Sequence, residues 1–439
     1  MGTIGSYRCN LHGDWGDKIV KTVCLIHPPH PNSMDDRLDP PMGLLYIATH
    51  LRQCGMDVKV VDLSGLNKWE IPYAEIYGIT AYISSLSIIR QLVKDCRAVN
   101  PLSKIVIGGA HASARPDDFP YSDHVVVGPG EHAMADLALG ISHDRVVKGQ
   151  ELKNPFLFPS FDLVDVHSYH RTIAEKPSIS YLTSRGCPYS CSFCGLTRMH
   201  QLGGKVVMAT PEVVYEQVRE IKEKYGIDRI NFQDDIFTLN HERLFKILDL
   251  IQPLGIKFRC MGRAGHDTEE VYKRLARAGC DQVAWGIESG SQHLLDLMNK
   301  QSTVLDNYNV IQWAKKYGIT SRAFFIIGFP GETKETMRQT QAFINWADPD
   351  QFFVSNFVPY PGTEVGDCPE KYGITRVSGD FSQFYQVSKD GTGGIAIDTK
   401  WLSGERFREL ELDFRGWLAT RSLRGGLQDY EKGNRREAA

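Results

Sequence analysis

No apolar run in the 439-residue chain approaches the roughly 20 residues of a membrane-spanning helix. The first residues, MGTIGSYRCNLHGDWGDK, lack the apolar core of a secretory signal. They also match the start of an acylation pattern poorly, Ser6 aside. A short irregular tail over 1–20 and a cytoplasmic location are therefore expected. Excess charge of one sign is missing too: a net charge of -3 leaves no footprint for nucleic acid or an anionic membrane. A disulfide framework is not expected in such a chain. Of ten cysteines, seven are scattered singly, at Cys9, Cys24, Cys54, Cys96, Cys260, Cys280 and Cys368. Several lie in apolar runs such as VCLIH and FRCMG, where a thiol behaves as a small hydrophobe. What is present is a globular composition, 42% hydrophobic and 23% charged, in a chain long enough for two domains.

From Lys21 strand-like and helix-like runs alternate. TVCLIHPP, VKVVDLS, EIYGIT, KIVIGGAHAS and HVVVGPG read as five strands, with helical spacing in MGLLYIATHLRQCG, SIIRQLVKDCRAVN and the run after Gly130. This pattern predicts a doubly wound parallel sheet over 21–150, followed by a linker over 151–174. Such sheets bind ligands at the carboxyl ends of their strands, and small or polar residues gather there: Ser64, Thr80, Ser84, Ser85, Gly108, Gly109, His111, Gly128 and Gly130. Each glycine alone is equally a turn residue. His27 and His30, in HPPHP, face a ligand or are ordinary loop histidines.

The rhythm restarts near Ser178. Six strand-like runs, from SISYLTS to QFFVSNFVPY, alternate with helices and predict a partial parallel barrel over 175–365. Residues 366–439 form an extension, with a Gly-rich loop at DGTGGIAIDTKWLSG expected to close over substrate, a helix capped by Ser403 and a frayed end at DYEKGNRREAA.

The first barrel strand runs into CPYSCSFC, where Cys187, Cys191 and Cys194 fall within eight residues. A structural zinc would need a fourth ligand, and none follows at zinc-ribbon spacing. A [4Fe-4S] cluster on three thiolates leaves one iron open for a further ligand. A zinc knuckle or a chance grouping is the other reading.

This CxxxCxxC loop resembles that of the radical S-adenosylmethionine superfamily. The stretch PPMGLLYIATHLRQCGMDVKVVDL, with GIT, IGGAHAS and VVVGPGE after it, resembles the cobalamin-binding domain at the N-terminus of many of its members. The DxHxxG motif of classical cobalamin domains is absent, as in many radical relatives, and bulky Tyr82 stands where it could intrude on a corrin; cobalamin is therefore left open. The resemblance implies that Cys187, Cys191 and Cys194 bind the cluster and that its open iron takes S-adenosylmethionine. Phe193 would pack near adenine. Asp234 would hold the methionyl amine, with Asp235 beside it, and Arg263 a carboxylate. Glu288 and Ser289 would contact ribose. Gly328 in GFPGET would line the adenine turn, and PYPGTE would be the barrel exit. Gly108, Gly109 and Gly128 would border the corrin. The bland alternatives are helix capping for the aspartates, a structural ion pair for Arg263 and a purely structural role for Glu288. A flavodoxin or ferredoxin is the implied electron donor.

In the reaction placed first, a 5′-deoxyadenosyl radical takes a hydrogen from an aminosugar and a neighbouring hydroxyl leaves as water. The layout resembles the radical dehydratases of aminoglycoside biosynthesis, which in the apramycin pathway begin 3′-deoxygenation of a paromamine-like intermediate. Asp235 and Glu131 are the acid/base candidates, and Asp39 joins them as a carboxylate for a cationic sugar. The alternative is cobalamin-dependent C-methylation. A third reading, a sensor or scaffold without activity, sits poorly with an intact cysteine triad.

Overall fold

The structure, a computed structural model, describes residues 21–30, 33, 35–196, 205–387 and 391–421. The tails expected over 1–20 and at DYEKGNRREAA lie outside these. In the first half, alternate residues of each strand enter different cores. Val23 and Leu25 pack with Leu44, Leu51, Met134 and Leu137 on one side of the sheet. Cys24 and Ile26 pack with Ile89, Leu92, Cys96 and Phe119 on the other. A period of two with both faces apolar is what a parallel strand between two helical layers requires. Burial pushes the Cys24 and Cys96 thiols up to about 12, so both are inert packing groups.

The strands are β1 (Thr22–His27), β2 (Asp57–Asp62), β3 (Ile76–Thr80), β4 (Lys104–Gly108), β5 (His124–Val127) and β6 (Val146–Lys148). All are parallel, in the order β2-β1-β3-β4-β5-β6. Four helices connect them: α1 (Met42–Gln53), α2 (Leu86–Val99), α3 (Ala110–Ala114) and α4 (Gly130–Leu139). The order reverses between β1 and β3, and that switch point is where such sheets take ligands. The edge strand β6 was not expected. It has three residues with no buried side chain, too short and polar to stand out.

The second sheet contains β7 (Ile179–Tyr181), β8 (Arg229–Phe232), β9 (Lys257–Met261), β10 (Cys280–Glu288), β11 (Thr320–Ile327) and β12 (Gln351–Asn356). Each pairs in parallel with the next in chain order, and β7 is not paired with β12. This is the partial barrel expected. Its helices are α5 (Pro211–Tyr225), α6 (His241–Ile251), α7 (Glu269–Arg277), α8 (Gln292–Leu297), α9 (Val304–Lys316) and α10 (Lys334–Ala347). Side-chain oxygens of Thr210, Asn240, Thr303 and Thr333 cap four of them. One face of the sheet is covered: Phe325 meets Phe343 of α10 edge-on, and Trp285 donates to the Tyr272 hydroxyl of α7 at 2.9 Å. The other face, with Arg259, Phe324 and Phe353, is half-exposed.

The extension differs from expectation. The Gly-rich stretch is not a free flap from Gly391 on. Ile397–Thr399 pairs antiparallel with Ile374–Val377. The Glu411 carboxylate, on α11 (Gly404–Ala419), accepts from Gly393 N at 2.9 Å and pairs with Arg408 and Arg415. Ser403 caps α11 as expected.

The chain divides into two compact units, and the dividing line is not a simple linker. Residues 40–166 group with the stretch ending at His30, whereas Pro31–Asp39 groups with His167 onward. The expected linker over 151–174 is therefore shared. Phe156 and Phe161 are buried in the first unit, and Thr49 donates to Phe158 O at 3.0 Å. In the second, Arg171 reaches both oxygens of Asp39, which also accept from Ser180. Asn231 Nδ2 then donates to Ser180 Oγ, and Arg259 Nε to Asn231 Oδ1, each at 2.8 Å. Burial opposes the Asp39 charge, but Arg171 and Ser180 hold its carboxyl below the usual range. Asp39 is thus a structural anchor and not a carboxylate awaiting a cationic substrate.

Asp39→Asn is expected to cost about 3 kcal/mol, because it leaves the Arg171 guanidinium without its partner. Denaturant titration of Asp39→Asn, Arg171→Met and the double variant checks this; additive losses would show that the two residues do not act as a pair. Because the folded Asp39 pKa is lowered, its contribution is present above the usual value of 3.8 and is lost as pH falls through the folded value.

Candidate active site

The cysteine loop leaves β7 through Thr183 and Ser184. Asp234, at the end of β8, is fully buried and accepts from Thr183 N, Thr183 Oγ1 and Ser184 Oγ. Burial raises its pKa. Both oxygens are engaged in bracing the strand exit. Its neighbour Asp235 is exposed and accepts from Gly186 N at 2.9 Å, at the start of the loop. Gly186 has φ +88°, and a Cβ there would stand 3.2 Å from Lys205 O.

Three distant segments then grip the loop. Ser192 N donates to Met298 O at 2.9 Å, and Asn299 Nδ2 to Ser190 O at 2.8 Å. Val365 N, directly after the PYPGTE exit, donates to Ser192 O at 3.1 Å. The Arg263 guanidinium stacks 3.4 Å from the Tyr189 ring centroid and donates to Lys300 O. In that position it braces the loop and lends positive charge to it. Burial raises the Cys187 thiol, opposed by the Tyr189 amide and the Arg263 charge, and pushes Cys194 up to about 11. Three soft donors on one braced loop, beside a buried cation, suit a cluster that takes three thiolates and neutralises them on binding. Cys260 and Cys280 are buried in strands β9 and β10 and do not complete a fourth ligand on this loop.

Glu288 ends β10 with φ +63°, a left-handed conformation costing about 1 kcal/mol. Lys300 Nζ donates to its Oε1 at 2.7 Å, and both groups are buried. A Cβ on Gly286 would lie 2.1 Å from that oxygen and 2.9 Å from Lys300 Nζ. Glycine is thus required for the pair to fold over the strand. Ser289 faces inward, with Oγ accepting from Ser291 N at 3.1 Å and 3.3 Å from Thr340 Oγ1, so its expected ribose contact is not prepared. Phe193 meets Phe329 of GFPGET edge-on, with ring centres 6.4 Å apart. The two elements expected around adenine therefore come together. Gly328 has φ +79° and makes room for Phe407 of α11, whose ring would sit 2.6 Å from a Cβ.

In the first unit, His27, His30 and Tyr82 form one aromatic cluster at the ends of β1 and β3, with His30 and Tyr82 ring centres 4.3 Å apart. This is the switch point. Gly109 has φ +98°, and a Cβ would press to 3.0 Å on Ala81 N and O. Its glycine is demanded by the crossing of β3 and β4. Gly108 has open space, with Val126 Cβ 3.8 Å away, and Gly128 has φ +93° and donates to Ser113 Oγ at 3.0 Å. Glu131, in the first turn of α4, is buried within electrostatic reach of His50 on α1. It lies in the α1–α4 packing. His111 is paired with Asp118 at 2.8 Å.

Sequence reading missed Tyr189, Lys300 and Glu332. Tyr189 stood inside the motif and carried a signal; Lys300 lies twelve residues past Glu288, a spacing with no local meaning. Glu332, in GFPGET, is buried and accepts from Gly328 N at 3.3 Å and from Thr336.

Residues 181–344 match the radical SAM superfamily, and residues 39–138 match the B12 binding domain. The chain belongs to the radical SAM superfamily and carries the B12-binding domain N-terminal to it. It is 31% identical over 385 residues to the uncharacterized methyltransferase PH0819 of Pyrococcus horikoshii, covering 79% of this chain and 83% of that protein. It is 26% identical over 517 residues to cytidylyl-2-hydroxyethylphosphonate methyltransferase of Streptomyces wedmorensis, covering 94% and 95%. The solved structure of the radical S-adenosylmethionine methyltransferase TsrM from Kitasatospora setae shares the fold, with TM-score 0.67 at 18% identity over 91% of each chain.

Burial pushes the Glu332 carboxyl up to about 7, against hydrogen bonds from Thr336, Gly328 and Thr333. A raised folded pKa means the folded state holds the proton between 4.5 and about 7, so stability falls as pH rises through that window. Glu332→Gln is expected to gain on the order of 2 kcal/mol over the parent at pH 8 and nothing at pH 4. Denaturant titrations at the two pH values check it, and an equal effect at both would show that the carboxyl ionises normally.

Proposed function

We propose that the protein is a cobalamin-dependent radical S-adenosylmethionine methyltransferase acting on a small molecule. The observation that carries this reading is a similarity to methyltransferases that runs through both units, over 79% and 94% of the chain. It favours the alternative drawn from the sequence over aminosugar dehydration. Among the described residues no helix is long and apolar enough to cross a membrane.

Cys187, Cys191 and Cys194 would hold a [4Fe-4S] cluster. When bound, the cluster supplies a reducing electron and cobalamin a transferable methyl group. The protein's own residues position the reactants. Asp235, exposed beside the loop, is the carboxylate available to the methionyl ammonium. The Glu288–Lys300 pair offers an acceptor and a donor to ribose hydroxyls. Phe193 and Phe329 present an aromatic corner to adenine. Arg263 is a positioning residue, acting through Tyr189 and Lys300. In the first unit, Gly108, Gly128 and the His27–His30–Tyr82 cluster border the strand ends assigned to the corrin. A flavodoxin or ferredoxin supplies the electron.

Anaerobic reconstitution with iron, sulfide, S-adenosylmethionine and hydroxocobalamin, followed by desalting, tests the reading. Bound cobalt near one per chain is expected, with Cys191→Ala losing both the cluster absorbance and 5′-deoxyadenosine formation. No bound cobalt, with 5′-deoxyadenosine still released on an aminosugar, would overturn methyl transfer in favour of dehydration. Glu288→Gln is expected to weaken S-adenosylmethionine binding about tenfold while leaving iron content unchanged. Equilibrium dialysis with the labelled cofactor measures this, and unaltered affinity would remove Glu288 from the site.

A further inference from the structure

We infer a second metal site, distinct from the cysteine loop, made by His241, His266 and Asp267. One ring nitrogen of each histidine and one oxygen of Asp267 lie within 4.8 Å of one another. The three come from separate places in the fold. His241 is the first residue of α6, and its ring stacks on Phe245. His266 and Asp267 follow β9 in the turn CMGRAGHD.

Two buried atoms there lack partners. The Asp267 side chain is 0% exposed. Its Oδ2 accepts from Arg263 N at 3.1 Å and from the Tyr272 hydroxyl at 2.8 Å, but Oδ1 has no hydrogen bond. The nearest basic group is His241 Nε2, which is also buried without a hydrogen bond and stands 3.9 Å away. That gap is too long for a hydrogen bond between them. Two donors bonded at about 2.0–2.1 Å to one tetrahedral ion stand about 3.4 Å apart, so binding would draw these two together by roughly half an ångström.

The supports that a metal site needs are in place. Leu239 O can only accept, so the 2.9 Å contact with His266 Nε2 puts the hydrogen on that nitrogen and leaves Nδ1 basic. A ligating histidine whose other nitrogen donates to a backbone carbonyl is the usual arrangement around zinc. Asp267 is held in the same way through its second oxygen by Arg263 N and Tyr272. Two imidazoles and a carboxylate form a donor set for zinc or ferrous iron and not for calcium or magnesium. The Tyr189 hydroxyl lies 3.4 Å from His266 Nδ1. With the hydrogen on Nε2 that hydroxyl donates to Nδ1, and an ion bound at Nδ1 would displace it.

The test uses the cluster-loaded full chain, in which the three thiolates are already occupied. It is incubated anaerobically with zinc chloride, passed through a desalting column, and analysed for zinc and iron by mass spectrometry. The parent is expected to retain about one zinc per chain, and His241→Ala and Asp267→Asn at least tenfold less, with iron unchanged in both. Zinc is also expected to raise the thermal midpoint of the parent but not of His241→Ala. His241 is partly exposed at a helix start, so its replacement leaves the fold intact. A parent that retains no zinc, or variants that retain as much as the parent, would overturn the site.

Discussion

The guanidinium of Arg263 ties the cysteine loop to the sheet. The loop itself is irregular, and a run of three thiols has no packing energy with which to hold its shape. Stacking on Tyr189 and donation to Lys300 O place a permanent charge against it. Since Lys300 also pairs with Glu288, the end of β10 and the loop after β7 are mechanically one object. Tight bracing of donors ahead of binding lowers the ordering cost when a cluster and its ligand arrive.

The two sheets solve the same problem differently. The first is closed on both faces by helices, so a ligand has access only over its edge, where glycines and the His27–His30–Tyr82 cluster stand. The second is covered on one face, and its remaining face keeps Arg259, Phe324 and Phe353 half-exposed. A polar chain from Asp39 through Ser180 and Asn231 to Arg259 crosses three neighbouring strands on that side. A sheet that leaves one face wet needs such groups satisfied by each other.

Much of this was legible in the sequence because parallel strands write an unmistakable rhythm. Eleven of the twelve labelled strands, the caps at Thr210 and Ser403, the cysteine loop and the meeting of Phe193 with GFPGET follow from local pattern. Failures have a common cause. Asp234 and Asp235 are adjacent and chemically identical, yet one is sealed inside against Thr183 and Ser184 and the other is exposed, and the turn after β8 decides between them. Glu131 sat at a strand end, as a functional carboxylate would, but helix packing turned it inward. The Glu288–Lys300 pair and the His241–Asp267 contact depend on chain crossings that no short window of sequence contains, whereas Glu332 is bonded within its own turn and only its burial was hidden.

The passage of residues 31–39 out of the first unit bears on how such chains can be recombined. Arg171 and Ser180 receive Asp39 from a segment that precedes almost the whole B12-binding unit in the chain. A cut between 150 and 170 would therefore deliver a barrel whose Arg171 guanidinium lacks its Asp39 partner. The two units interleave along the gene, and a swap of the N-terminal unit between relatives must keep Asp39 with its neighbour.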